Sequence, residues 1–594
     1  MFKQKFIHFI CFLLAFTNLV AQEKNKYFSP TDFEIEIISN QIFVVGKTAN
    51  EIRAYNLSDF NLFKSFSTEL TPKAIKIAGE NILIACSNSA GELLVVSKNT
   101  LKHKAKIKVG FGACDVVTNA NFSKAFVANQ FSNDVSFVDL KLQKEITRIP
   151  VLRQPMQLEI SKNGKYLFVA NFLTSGRADA DTVTSEISII DIEKETVIKN
   201  IPLANGSNAL RGICLSSDGK YVFISHNLGR FQVPTTQLEQ GWMNTSALSI
   251  IDASNLEFVA TVLLDEPEKG AAGSWGIDCT PKHIIVAHSG THDFSVIDYP
   301  KFIEKLNNTE DKNTLSYDLR FLSGIRQRIK VTGNGPRVIK SENNLVYVAN
   351  YFSDNIDVVN ILNPIPSQYR KLVLNEIQEI NEVRMGEIYF NDATYCFQSW
   401  QSCNGCHPSD ARTDGLNWDL LNDGMGNPKN CKSMLLAHET PPAMITGIRP
   451  NAEAGVRAGF THIQFTQIEE TRATAVDKYL RSLKAVPSPY LVNGELSKIA
   501  EKGKEIFEIV GCNICHSGKW FTDLKKHKMG RQGEFDHQNT WDTPTLIETW
   551  RTGPYLHDGR SATMKDVFSK EKHGLNKELT EEEVEQLTEY VLSL

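Results

Sequence analysis

Two stretches combine residue types and spacing that dictate a chemistry: Cys403-Asn404-Gly405-Cys406-His407 and Cys512-Asn513-Ile514-Cys515-His516. Cys-x-x-Cys-His is the covalent attachment pattern of c-type haem. Two thiols bond to the haem vinyl groups, and the following His coordinates the iron from the proximal side. Two copies in a chain of eleven cysteines predict two covalently bound haem c groups and a redox function. Cys403, Cys406 and His407 would hold the first, and Cys512, Cys515 and His516 the second. The competing reading is a zinc centre made of two Cys-x-x-Cys pairs. A His at the same place after each pair favours haem.

Something must carry these motifs out of the cytoplasm and position them. Lys3 and Lys5 precede the apolar run Phe6 to Phe16, with Ala21 before the expected cleavage point. Residues 1–21 therefore read as a signal peptide, too short to span a bilayer, and imply a periplasmic protein. Cys11 lies inside the apolar run, against a lipoprotein anchor, and no other stretch reaches transmembrane length. A net charge of -5 without a Lys/Arg-rich run gives no reason for a nucleic-acid partner. The 594 residues allow two or three domains. Of the cysteines outside the motifs, Cys396 and Cys431 flank the first motif. They either pair or stay free as small apolar side chains.

Residues 28–365 repeat one pattern seven times. Its apolar strands are Ile42 to Val45, Ile82 to Ala85, Ala125 to Asn129, Leu167 to Asn171, Tyr221 to Ile224, His283 to Val286 and Val346 to Asn350. Each is followed by a polar turn and a second alternating strand, such as Val135 to Asp139 or Leu248 to Asp252. A repeat of about 40 residues with short strands is the mark of a β-propeller blade. Seven copies predict an all-β, seven-bladed β-propeller, with the strand Phe33 to Ile38 closing the ring on the last blade. Val127-Ala128-Asn129, Val169-Ala170-Asn171 and Val348-Ala349-Asn350 resemble the YVTN family of β-propellers. His226, His283, His288 and His292 read as structural or solvated. Arg153, Arg211 and Arg337 either line the central funnel or hydrogen-bond in loops.

Pro364 and Pro366 end this region, and 366–375 reads as a linker. Beyond the linker the pattern predicts a mainly α tandem of c-type cytochrome domains, at 376–490 and 496–594. Each opens with a helical pattern leading into Cys-x-x-Cys-His and closes with a helix ending Tyr-x-x-Ser-Leu. Capping boxes are expected at Thr466/Glu469 and Thr580/Glu583. Thr440, Pro442, Gly447 and Arg449 align on Thr552, Pro554, Gly559 and Arg560, allowing Ile448 as one extra residue. Arg449 and Arg560 are thereby expected to pair with haem propionates or to form structural ion pairs.

Asp542-Thr543-Pro544-Thr545-Leu546 and Pro554-Tyr555-Leu556-His557-Asp558-Gly559-Arg560 resemble the bacterial di-haem cytochrome c peroxidases and their MauG-type relatives. The resemblance implies a peroxidatic first haem and a higher-potential second haem with an axial Met. Met529 stands at that place, with His527 as rival. It implies a catalytic Glu, placed at Glu470 because Glu469 is taken by the helix cap. His438 and Met425 would be displaceable ligands of the first iron, and Asn430 would help bind one calcium ion. Two features depart from the family. Ile445 stands where a relay Trp is usual, leaving Trp400, Trp418 or Trp550 as substitutes, and no distal His lies between His407 and His438.

These residues admit three functions. The first is reduction of hydrogen peroxide with electrons from a small cytochrome c or copper protein. The second is MauG-like oxidation of a protein partner docked on the propeller. The third is a non-enzymatic electron carrier or redox sensor.

Overall fold

The computed structural model describes residues 27–88, 90–233, 242–376, 379–419, 428–533, 536 and 538–594. The expected signal peptide 1–21 and Met425 lie outside these residues. Seven four-stranded antiparallel sheets succeed one another in sequence order, each running from its first strand outward to its fourth. The first strands line the central channel. In each blade the second strand is almost wholly buried between neighbouring blades, as in Ala125 to Asn129 of Lys124–Asn129. This explains the continuous apolar runs. The Val-Ala-Asn signature has a local cause. Asn129 Nδ2 donates to Asp134 Oδ1 (2.7 Å) and Ser136 Oγ (2.8 Å), and Asn171 and Asn350 make the same reach to the third strand of their blades.

Two expectations are corrected. The strand Pro30–Glu36 does not join the last blade; it is the inner strand of blade one, paired with Gln41–Gly46. The ring closes through side chains. Asp354 accepts from the backbone N–H groups of Phe28 and Ser29, both at 2.7 Å. Phe28 and Phe33 share an apolar core with Tyr347, Ala349 and Ile356 of blade seven. The linker 366–375 is also revised, because Arg370–Val373 is the outer strand of blade seven. Pro364 and Pro366 occupy the turn before it, where a missing N–H costs no ladder bond. Of the two alternatives left open for Cys396 and Cys431, the structure shows both free. The disulfide present is Cys214–Cys279, which joins the inner strands Ser207–Leu215 and Ser274–Cys279 of adjacent blades.

The C-terminal region holds two helical modules built alike. The opening helices are Glu382–Asn391 and Lys498–Ile509; the closing helices are Glu470–Ser482 and Glu581–Leu592. In each module a glycine of the opening helix meets the closing helix backbone. A Cβ at Gly386 would lie 1.9 Å from the Ala475 carbonyl oxygen, and one at Gly503 would lie 1.9 Å from that of Gln586. Tyr479 and Tyr590 pack at the same crossings, against Phe390 and Phe507. The Thr580/Glu583 capping box is present. The Thr466/Glu469 box is not: Glu469 is itself the N-cap residue, and its carboxylate is held by Arg472 at 3.0 Å.

Candidate functional site

At the second motif, Gly511 in a left-handed conformation (φ 81°) ends the opening helix and starts the Cys512–Ile514 turn. Here a β-carbon would cost energy that glycine avoids. His516 Nδ1 sits 3.1 Å from the Phe521 carbonyl oxygen. A proton on Nδ1 leaves Nε2 as the free lone pair, the tautomer a proximal ligand needs. Cys512, Cys515, His516, Met529 and Arg560 all line one cavity of about 270 Å³. The residues present fit a haem c group held at this motif.

Met529 and His527 both face this cavity, but His527 Nε2 is engaged by Asp523 Oδ2 at 2.7 Å. Beyond the motif residues, the sequence reading missed His573 and Trp541 and gave His557 no role. His573 lines the cavity, and burial pushes it down to about 4. Trp541 stacks on His557 at 3.9 Å with an 11° interplanar angle, and His557 is held by Asp536 at 2.7 Å. His557 lies in the Pro554 to Arg560 motif, whereas His573 and Trp541 are marked by no local motif; the second module's tertiary fold gathers all three.

The first motif repeats the proximal arrangement. His407 Nδ1 lies 3.0 Å from the Arg412 carbonyl oxygen. Its thiols are capped by amides from different elements. Gln464 Nε2 donates to Cys403 Sγ (3.2 Å), and Asn244 Nδ2, from the propeller, donates to Cys406 Sγ (3.1 Å). Burial pushes the Cys403 thiol up to about 12. Cys431 Sγ lies 3.6 Å from His407 Nδ1. The two motifs head separate modules, so their four cysteines do not converge on one tetrahedral centre. No cluster of three or more His, Cys, Asp or Glu suited to a metal ion occurs among the described residues.

Glu470 and His438 stand at the two ends of one ion-pair chain. Glu470 is exposed over 73% of its side chain and pairs with Arg457, which holds its carboxyl below the usual range. Among the described residues, no hydrogen bond or ion pair joins it to the first motif. Arg457 also binds Asp477 (2.5 Å), which in turn binds His438 Nε2 (2.9 Å). The His438 side chain is 2% exposed, and its Nδ1 is buried without a partner among the described residues.

Arg449 and Arg560 are not equivalent. Isolated bridges pair Ala443 with Arg449 and Tyr555 with Ser561, so both loops have the same length. Ile448 is therefore no insertion; it matches Arg560, and Arg449 matches Ser561. Arg560 is buried and paired with Asp558. Asn430 bridges the modules by donating its N–H to the His557 carbonyl (2.9 Å), and its side-chain nitrogen donates to Asn417 Oδ1 (3.1 Å).

Trp400 and Trp418 pack against the propeller beside Leu228 and Trp242. Trp550 meets Phe111 and Phe131 edge-on. Trp541 is the tryptophan beside Ile445, whose carbonyl accepts the Asp542 N–H at 2.9 Å.

No protein-family model matches the chain. It is 28% identical over 272 residues to hydrazine synthase subunit gamma of Kuenenia stuttgartiensis, covering 36% of this chain and 77% of that subunit. It is 24% identical over 288 residues to cytochrome c551 peroxidase of Nitrosomonas europaea, covering 39% of this chain and 84% of that protein. A solved chain of K. stuttgartiensis hydrazine synthase superposes with a TM-score of 0.52 at 20% identity, over 57% of this chain and 97% of that one. At that identity the likeness is one of fold.

Proposed function

We propose that this chain is an exported, periplasmic oxidoreductase carrying two haem c groups, one in each of two cytochrome-like modules. In this reading it reduces hydrogen peroxide with electrons from a small redox protein. Bound haem would supply one-electron transfer at both sites and peroxide reduction at the first. Cys403, Cys406 and His407 would hold one group; Cys512, Cys515, His516 and Met529 would hold the other.

The observation that carries the division of labour is the unequal covering of the two motifs. Ile514, between the second pair of cysteines, is 75% exposed, and nearby Ile509 is 67% exposed. The corresponding part of the first motif lies against the propeller, where Asn404 accepts from Arg211 (2.7 Å). An exposed apolar edge suits docking of an electron-donor protein; a covered one suits a site that excludes water and competing reductants. No helix among the described residues is long and apolar enough to cross a membrane. The relative named cytochrome c551 peroxidase supports the same reading.

Proton transfer at the first site falls better to His438 than to Glu470. Asp477 orients its ring through Nε2, leaving a buried Nδ1 to take or give a proton. The experiment is peroxide consumption by the holo-protein, pre-reduced by one electron and supplied with reduced cytochrome c. Turnover with donor oxidation supports the peroxidase. Peroxide-driven oxidation of the haems without donor consumption would replace it with oxidation of a protein partner. Inertness toward peroxide would leave an electron carrier.

A further inference from the structure

We propose that Lys47 of the propeller is a positioning residue for the first haem: through Asp410 it holds the strained turn that sets the Arg412 carbonyl oxygen on His407. This role rests on a haem c at the first motif, as proposed above, but not on peroxide turnover.

The two motifs hold their histidines alike and reach that geometry differently. In each, the ring Nδ1 meets a carbonyl oxygen of the following loop, that of Arg412 at 3.0 Å and that of Phe521 at 3.1 Å. From His516 to Phe521 the chain is left-handed at Gly518 (φ 68°) and Phe521 (φ 50°) only. From His407 to Arg412 it is left-handed three times in succession, never at a glycine: Ser409 (φ 55°), Asp410 (φ 61°) and Ala411 (φ 61°). Each costs energy, because the β-carbon crowds the following carbonyl oxygen. Such a run persists only where its surroundings hold it, and strain of this kind gathers at functional sites.

Cations from three parts of the chain hold this turn. Arg551 of the second module donates to the Ser409 carbonyl (3.0 Å) and hydroxyl (3.1 Å) oxygens. Arg412, just after the turn, donates from its side chain to the Asp410 carbonyl oxygen. The Asp410 side chain lines the propeller's central chamber, where Lys47 Nζ stands 3.8 Å from its Oδ1. Lys47 first, then Lys73, Arg412 and Arg551, hold this carboxyl well below the usual carboxylate range. Asp410 in turn is the main cause that raises the Lys47 ammonium above its ordinary value. A second acid near Lys47, Glu387, is engaged by Arg384 at 2.7 Å. Lys47 directly follows the strand Gln41–Gly46 of blade one, and its backbone N–H donates to the Ser29 carbonyl oxygen (3.1 Å).

Without Lys47 the turn keeps its cost and loses its propeller anchor. Relaxation of the turn carries the Arg412 carbonyl away from Nδ1. A histidine that donates a strong hydrogen bond is a more basic ligand and favours oxidised iron, so weakening that bond raises the potential. Blade one thereby tunes the first haem.

The test is spectroelectrochemical titration of the holo-protein, reading each haem separately. Lys47→Met and Asp410→Asn should both raise the potential of the first haem. The expected change in its oxidised-to-reduced ratio at fixed poise is roughly tenfold, about 59 mV for a one-electron couple. Lys47→Arg should keep the wild-type value, and the second haem should not move. Direct electrostatics predicts another pattern: losing a cation lowers the potential, and losing an anion raises it. Opposite shifts in Lys47→Met and Asp410→Asn would overturn the proposal, as would no shift in either. An unmoved second haem shows that a variant is folded; should Lys47→Met fail to fold, Lys47→Gln serves the same comparison. Haem content of the wild type is counted first. Haem missing from the first motif would overturn the two-haem reading and this role together, whereas two haems with opposite or absent shifts overturn this role alone.

Discussion

Arg412 and Glu548 form a buried ion pair across the two C-terminal modules, Nε to Oε2 at 2.5 Å, with side chains 3% and 0% exposed. The same Arg412 offers its carbonyl oxygen to His407 Nδ1, and Glu548 Oε1 also accepts the Val486 N–H at 2.7 Å. The second module thus anchors the residue that orients the first module's histidine. Removing one member of such a pair strands the other without compensation. Glu548→Ala should therefore cost about 3–5 kcal/mol of stability, read by thermal unfolding. The absorption spectrum of the first haem should shift while that of the second stays fixed. An unchanged melting temperature would show that the two modules are not coupled through this pair.

Each motif should hold its own haem. Cys403→Ser with Cys406→Ser should halve the haem content, and so should Cys512→Ser with Cys515→Ser. Haem-to-protein ratio and intact mass measure this directly. Loss of both groups from either variant would point to one shared centre.

Met529 is the expected second ligand at His516, because Asp523 engages its neighbour His527. Met529→Ala should lower the potential of one haem by on the order of a hundred millivolts and abolish the spectral signature of Met ligation. His573→Ala should leave both unchanged. The reverse pattern would transfer the ligand role to His573, which lines the same cavity.

Glu470 is paired and exposed, whereas His438 is buried with one ring nitrogen unengaged among the described residues. His438→Gln should lower peroxide turnover by roughly 10²–10⁴-fold, the usual contribution of a positioned acid–base group. Glu470→Gln should change it by less than about threefold. Equal, large losses would restore Glu470 to the reaction.

Acid should destabilise the propeller. His226 is buried, bonded to Asn227 O (2.8 Å) and Ser249 Oγ (2.7 Å), and pushed down to about 4 by desolvation. Its unfolded value is about 6.5. Between those values the unfolded chain binds the proton and the folded one does not. The contribution is thus complete above about pH 6.5 and lost as pH falls toward 4. Urea unfolding at about pH 7 and about pH 4.5 should differ by roughly 2–3 kcal/mol from this group. His226→Gln should remove that difference.

The amino-acid sequence by itself determined the two attachment motifs, the seven blades and the paired helical modules. Each is a matter of local spacing: Cys-x-x-Cys-His, alternating strands, and glycine-bearing helices. Local spacing does not say which strand begins a blade, so Phe33 to Ile38 reads as part of the last blade, whereas the strand found there, Pro30–Glu36, is the inner strand of the first. Nor does it say which arginines correspond; equal loop lengths in the folded chain separate Arg449 from Arg560. The tertiary structure alone decided which motif is covered. It set Arg211 of the propeller against Asn404 of the first motif, and it joined Arg412 to Glu548. These contacts link residues far apart in sequence through packing against a shared core. No short-range pattern encodes such a meeting, because it depends on how whole blades and modules stack.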